Sequence, residues 1–420
     1  MIRRRIAMLA GLVLLASPAF SQPAREAIEA DVNRAGGVYY MYPFVEHTVT
    51  APPKGYTPVY LSHYGRHGAR YLLNDTQYNR SLDVLRAAHG QQALTETGEN
   101  LFREASAYFE ETCIYRYGDL TPKGFDQHYR IAQVIWSDNR KFFKKHPVIR
   151  ASATQVPRCI VSMSAFCQSL TRLDPKLQIY QEASRFTLDD LCPHAKDNPR
   201  RVSDQMEEGR YKRKDPWGTD LKTFIDKRVD HKAICGRIFK DPDFPAPFRG
   251  TRAFVTDLYD LVFNMQCTPT ERSLMWFFAP DETYALWEVN NYIHYMESAP
   301  SATMRDLPAL KNLITDADEA LAAGKPAARL RFGHDTTFLY LISMLGADGF
   351  DIVPSSADGI SATWYNFRSP MAATMYLVLC KGRAGDVIFK LVVNDVEATL
   401  PLKPVSGPWY SWEDLKNKFI

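Results

Sequence analysis

Three short β-rich runs, far apart in the chain, each lead into a segment dense in arginine or histidine. Thr57 to His63 runs through Gly65 into Arg66-His67-Gly68-Ala69-Arg70. Pro147 to Arg150 gives way to a helix-like segment that reaches Leu170. Ala328 to Phe332, closed by Gly333, is followed by His334-Asp335 and an apolar helix from Phe338 to Leu345. Strands punctuated by glycine and followed by helical periodicity predict an α/β layer. Met375 to Leu379 and Val387 to Val393, separated by Gly382 and Gly385, complete it as a hairpin. Ligands of such sheets bind beyond the carboxyl ends of the strands, so these segments are expected to share one site.

Between Arg185 and Lys325 the pattern turns helical, notably from Thr251 to Phe263 and from Glu282 to Met296. Loops such as Asp241-Pro-Asp-Phe-Pro-Ala-Pro separate the helices, and Asn74 to Tyr117 has a similar character. The expected division is an α/β core made of residues 22–75, 119–185 and 325–420. Residues 76–118 and 186–324 would form helical cap insertions.

The first 21 residues read as an export signal. Arg3, Arg4 and Arg5 precede the apolar run Ile6 to Ala16, and Ala19-Phe20-Ser21 offers small residues at a cleavage point before Gln22. The run is too short to span a bilayer comfortably, and no later stretch is apolar enough to do so. A periplasmic or secreted protein without a membrane span is therefore expected. The formal charge is +3, and the leader carries three arginines with no acid, so the remainder is near neutral. That balance argues against nucleic acid or an anionic membrane as partner, and any basic site must be local. Seven cysteines lie beyond the leader, an odd number, so at least one thiol is free or pairs with another chain. None forms a CxxC pair and no histidines cluster with them, which argues against a zinc site.

The residue types at the three segments suit a phosphate monoester. A dianion needs several fixed donors, and guanidinium forks match its oxygens two at a time. Arg66, Arg70 and Arg150 would supply such forks, and a helix opening after Gly68 would add backbone N–H groups. A neutral imidazole, His67, is a competent nucleophile, and a carboxylic acid, Asp335, would protonate the departing oxygen.

Arg-His-Gly-Ala-Arg at 66–70, the Arg150 segment and Gly-His-Asp-Thr at 333–336 together resemble the histidine acid phosphatases. Their branch contains phytases and multiple inositol polyphosphate phosphatases. Leu120-Thr121-Pro122-Lys123-Gly124 also resembles a helix-opening motif of that superfamily. The resemblance runs in order from about residue 57 to the C-terminus and fades in the helical insertions. It implies a mixed sheet flanked by helices, with an inserted, mostly helical cap.

The resemblance also implies roles. His67 would attack phosphorus and become a phosphohistidine, Asp335 would be the proton donor, and Arg66, Arg70, Arg150 and His334 would hold the phosphoryl oxygens. No metal or cofactor is implied, and the partner is a small phosphate monoester. Tyr71 stands where many members carry proline. His334-Asp335 matches typical phytases and acid phosphatases, whereas the inositol polyphosphate subgroup usually carries His-Ala-Glu. Phytate or another inositol polyphosphate is the favoured substrate, and a broad-specificity acid phosphatase is the alternative.

Two further readings are weaker. A mutase-like phosphotransfer would draw its acid from Glu96 or Glu99, but the His-Asp pair and the leader oppose it. A binding protein that has lost catalysis would be expected to lack the nucleophile or the acid, and both are present. Among the other histidines, His63 is as readily a packed residue as a pocket wall. His128 and His294 read as structural residues on helix faces. Extra substrate contacts from the insertion would come from Arg200, Arg201, Lys212, Arg213 and Lys214.

Overall fold

The computed structural model describes residues 23–192, 195, 217–298 and 308–419. The leader and the basic stretch from Arg200 to Lys214 lie outside the described residues. Among those described, no helix is long and apolar enough to cross a membrane.

The first expected strand is β1, Thr57–Arg66. After it come helices α1 (Asp75–Gly90), α2 (Glu96–Tyr108) and α3 (Pro122–Asp138). The second expected strand is β2 (Val148–Ala153), followed by α4 (Pro157–Leu173) and the edge strand β3 (Gln178–Glu182). The helical stretch supplies α5 (Thr251–Asn264), α6 (Pro280–Ser298) and α7 (Pro308–Ala323). The third strand is β4 (Ala327–Gly333), leading into α8 (Asp335–Leu345). The hairpin strands β5 (Thr374–Lys381) and β6 (Val387–Val393) precede three short strands: β7 (Val396–Glu397), β8 (Pro404–Ser406) and β9 (Trp409–Ser411).

These strands make one mixed sheet in the order β3-β2-β4-β1-β5-β6-β9-β8, with β7 on β6. The strands β3, β2, β4 and β1 run parallel, and β5 joins β1 antiparallel. This is the α/β architecture expected from the sequence. The register sets Arg66 beside Gly333 and Ala153 beside Phe332, so β1, β2 and β4 end at one level. Three chain segments that share no local sequence therefore leave the sheet together.

Strand alternation splits apolar residues between the two faces of the sheet. On one face Leu61, Ile149, Leu330 and Val378 pack with Ile131 and Ile135 of α3 and Met163 and Phe166 of α4. On the other, Tyr60, Leu377 and Leu391 pack with Leu313 and Ile314 of α7 and Phe338 and Leu341 of α8. Helix α7, placed in the insertion by its position in the sequence, thus covers the sheet. A third core joins Leu82 and Leu85 of α1, Leu101 of α2, Leu258 and Val262 of α5 and Trp287 of α6. All seven cysteines are buried.

Candidate active site

The loop after β1 holds His67, and its shape is imposed from several sides. The His67 N–H donates to the Gly333 carbonyl at 3.0 Å, and the His67 carbonyl accepts from Ala372. Gly68 N–H donates to Ser162 Oγ of α4, and Ala69 N–H to Gln127 Oε1 of α3. Thr121 caps α3 by accepting from the Gly124 N–H, with Pro122 at the first helical position. Gly124 then sits so close to the loop that a Cβ on it would lie 2.3 Å from the Ala69 carbonyl oxygen. A Cβ on Gly68 would meet the Gly124 oxygen at the same distance. The helix-opening motif therefore serves as the bed on which the histidine loop rests.

No helix begins after Gly68, contrary to the sequence expectation. The chain stays in a loop until α1, and the Gly68 and Ala69 N–H groups are spent on side chains. Helix N-termini come to the site from elsewhere, at α4 and α8.

His67 is buried, and its Nδ1 stands 2.9 Å from its neighbour's carbonyl, Gly68 O. A carbonyl only accepts, so Nδ1 carries the hydrogen and Nε2 keeps the lone pair. Burial first, then the charges of Arg158, Arg66, Arg70 and His334, push the imidazole well below its ordinary range. It stays neutral, and so nucleophilic, in acid.

Arg66 is fully buried. Its Nη1 donates to the Val38 and Ser369 carbonyls, and Nη2 to Asp335 Oδ2 at 2.8 Å. That leaves Nε–H and one Nη2–H for an anion. Arg70, also buried, donates to the Tyr71 carbonyl and lies over the Tyr39 ring. His334, the residue before α8, faces the His67 ring at 5.7 Å between centroids. Its Nε2 touches Thr154 Oγ1 at 3.3 Å, and its backbone N–H donates to the Tyr64 hydroxyl. Asp335 follows at the start of α8, with Oδ1 accepting from Thr336 N. Burial raises the Asp335 carboxyl, but Arg66, then His294, His334 and Arg70, outweigh it and hold the group well below the usual carboxylate range.

Arg150 is not brought to this site. It lies three residues before the end of β2, paired in register with Tyr180 and Arg329, about 10 Å short of the level where the strands end. Its side chain is exposed and stands over the Tyr180 ring at 5.9 Å. The arginine that completes the cluster is Arg158, one residue into α4. Its charge acts on His67, Arg70, Arg66 and Asp335, and burial with Arg70 pushes it down to about 10. A cation in the first turn of a helix opposes the helix dipole, which favours anions there. That conflict, and the Pro157-Arg158 pair at the opening of the helix after the second strand, are the signals in the sequence that point to Arg158.

Among the described residues, the Nε atoms of Arg66, Arg70 and Arg158 are buried without a hydrogen-bond partner. The charges of all three act on the His67 imidazole, which makes the surroundings of that ring a cradle for an anion. No three His, Cys, Asp or Glu side chains among the described residues gather as a metal site would require. His63 and His128 are buried behind the loop, against Phe332, and are not part of the cradle. Glu99, weighed as an alternative acid, pairs with the exposed His89. Asp260 of α5 borders Arg70, and burial together with Asp257 pushes its carboxyl up to about 7.

No family model matches the sequence, and no curated protein is similar to it at a meaningful level. Solved structures do share its fold. The multiple inositol polyphosphate phosphatase of Bifidobacterium longum, in complex with inositol hexasulfate, superposes with a TM-score of 0.74 at 18% identity, over 91% of this chain and 97% of its own. The phytase of D. castellii gives 0.67 at 13% identity, over 92% and 84%. The Hafnia alvei phytase gives 0.57 at 13% identity, over 88% and 97%. This chain has the fold of those phosphatases along nearly its whole described length.

Proposed function

We propose that the protein is an exported phosphomonoesterase that works through a phosphohistidine on His67, with phytate or another inositol polyphosphate as the favoured substrate. The observation that carries the reading is the tautomer and surroundings of His67. Nδ1–H is spent on Gly68 O, so Nε2 is the free nucleophile, and Arg66, Arg70, Arg158 and His334 converge around it.

The phosphoryl group would sit in the arginine cradle, its oxygens taking up the unspent Nε–H donors. Nε2 attacks phosphorus in line as the bond to the leaving oxygen breaks, and Asp335 gives that oxygen its proton. Asp335, now ionised, then takes a proton from the water that attacks the phosphohistidine. His67 and phosphate are released, and the donors are aimed where negative charge accumulates in both steps.

The substrate reading draws on the similar structures, which are named as phytases and an inositol polyphosphate phosphatase, one of them holding inositol hexasulfate. Export rests on the leader. The test is phosphate release from phytate and from p-nitrophenyl phosphate, beside a His67→Ala control. Much higher kcat/KM on phytate, abolished in the control, supports the inositol phosphate reading. Equal or better turnover of the small ester makes the protein a broad acid phosphatase. Silence on both overturns catalysis and leaves a phosphate-ligand binding protein.

A further inference from the structure

We propose that Thr154, the residue just beyond β2, is a positioning residue that holds the His334 ring in place for the phosphoryl group. The inference deepens the phosphatase reading and rests on it.

The pairing of the strands brings the two residues together. β2 and β4 run parallel with Ala153 opposite Phe332. The Thr154 N–H carries the ladder one step further by donating to the Phe332 carbonyl at 3.1 Å. Thr154 therefore leaves β2 at the level where Gly333 and His334 leave β4. Its side chain is buried, and Oγ1 stands 3.3 Å from His334 Nε2. Arg150 lies four residues earlier, about 13 Å back along the strand, so it is the end of this segment that reaches the site.

The backbone of His334 is fixed by other groups. Its N–H donates to the Tyr64 hydroxyl at 3.1 Å, and that hydroxyl donates to the Leu191 carbonyl at 2.8 Å. The His334 carbonyl accepts from Phe338 N as α8 begins. A Cβ on Gly333 would run into the Tyr64 hydroxyl and the Leu191 carbonyl, so this clamp closes on a glycine. The setting of the ring is then a matter of the His334 side-chain torsions, and Thr154 Oγ1 acts on those. Threonine is branched at Cβ and has few rotamers of its own, which makes it a stiff support.

The chemistry of the contact suits that task. A hydroxyl both donates and accepts, so it holds Nε2 whether that nitrogen carries a hydrogen or a lone pair. The Cys159 thiol stands 3.9 Å from the same nitrogen, but its hydrogen is directed at the Gly333 carbonyl, 3.5 Å away, and sulfur is a weak acceptor. Thr154 is the stronger partner of the two. The ring it holds meets the His67 ring edge-on, with 5.7 Å between centroids. In the proposed reaction His334 acts on the phosphoryl group and not on the leaving oxygen, so a loosened ring should slow every ester alike.

The experiment is a double-mutant cycle in kcat, Thr154→Val against His334→Ala, read on phytate and on p-nitrophenyl phosphate, with Thr154→Ser alongside. Valine keeps the shape of threonine and removes the hydroxyl; serine keeps the hydroxyl. Thr154→Val should lower kcat by about 10-fold on both esters, less than the ~100-fold of losing a stabilising donor outright. Thr154→Ser should recover most of that loss. In the His334→Ala protein the valine substitution should cost no more than about twofold, because the group it positions is gone. A valine loss that persists in full without His334 would overturn the proposal, as would a serine variant as slow as the valine one, or a valine variant at the wild-type kcat. Should the valine variant fail to fold, Thr154→Ala takes its place in the same cycle. Silence of the wild type on both esters would sink the phosphatase reading beneath it, and this inference with it, whereas an active wild type with an additive cycle sinks the inference alone.

Discussion

Asp335 sits in the free protein as an ion, paired with Arg66 at 2.8 Å, yet the proposed reaction needs it as an acid. The proton must arrive with a substrate monoanion, or be taken up once a dianion fills the cradle and offsets the guanidiniums. Either route is favoured in acid, and His67 permits it because burial and the charges of Arg158, Arg66 and Arg70 keep its imidazole neutral there. Activity should therefore rise as pH falls from neutrality. Asp335→Asn should slow phytate hydrolysis by ~100-fold or more, the usual scale of general acid catalysis. Loss on p-nitrophenyl phosphate, whose leaving group needs no proton, should be far smaller. Equal loss on both, measured as kcat, would remove Asp335 from the acid role. The two arginines give an internally controlled pair. Arg158→Ala should lower kcat by ~100-fold, in the range for losing one charge-stabilising donor. Arg150→Ala, which strips a side chain from the exposed strand surface, should leave kcat within about twofold of the wild type.

At the scale of elements, the site depends on glycines that let backbones touch. Gly124 lies in the first turn of α3, where alanine normally suits a helix better by up to about 1 kcal/mol. Here a Cβ would press on the Ala69 carbonyl, so Gly124→Ala should instead destabilise by about 1–3 kcal/mol, read as a lower Tm, and depress kcat by displacing the His67 loop. A Tm at or above that of the wild type would show that the contact yields freely. The same elements mark how far the sequence could be read. Strands β1, β4, β5 and β6 and the residues on them were legible, because glycine punctuation and β-branched runs are local signals. Arg158 was not, because its place depends on where β2 stops: the strand runs three residues past Arg150, and the functional arginine falls inside the following helix. His294, read as a helix-face residue, has its Nδ1 against the Asn290 carbonyl of its own helix and the Asn366 amide, which is brought to it only by the fold. The missing helix after Gly68 has the same origin, since the loop's Gly68 and Ala69 N–H groups are held by Ser162 and Gln127, which come from helices distant in the chain.

Across the whole molecule, the wall behind the catalytic loop sets a limit on the acid range. His63, His67 and His128 are all buried, and burial pushes each below its ordinary range, His128 to about 4. A histidine whose folded pKa lies below its unfolded value near 6.5 leaves stability intact above about pH 6.5. As pH falls below that, the unfolded chain binds the proton first, and stability drops until the folded group titrates. For His128 alone that loss reaches about 3 kcal/mol by pH 4. Tm should therefore fall steadily from neutrality toward pH 4, even as turnover rises. His128→Leu should flatten that slope, and a slope unchanged in the variant would mean that the ring is not kept neutral in the fold. The acid optimum would then mark the crossing of a chemical gain with a structural loss.

The account stands or falls on the covalent intermediate. The most direct measurement is a rapid alkaline quench of the protein turning over phosphoryl-labelled substrate, followed by mapping of the labelled peptide. The account predicts an alkali-stable, acid-labile label on the peptide that carries His67, absent in His67→Ala. Continued release of phosphate with no label on the protein, or with the label on another residue, would contradict it.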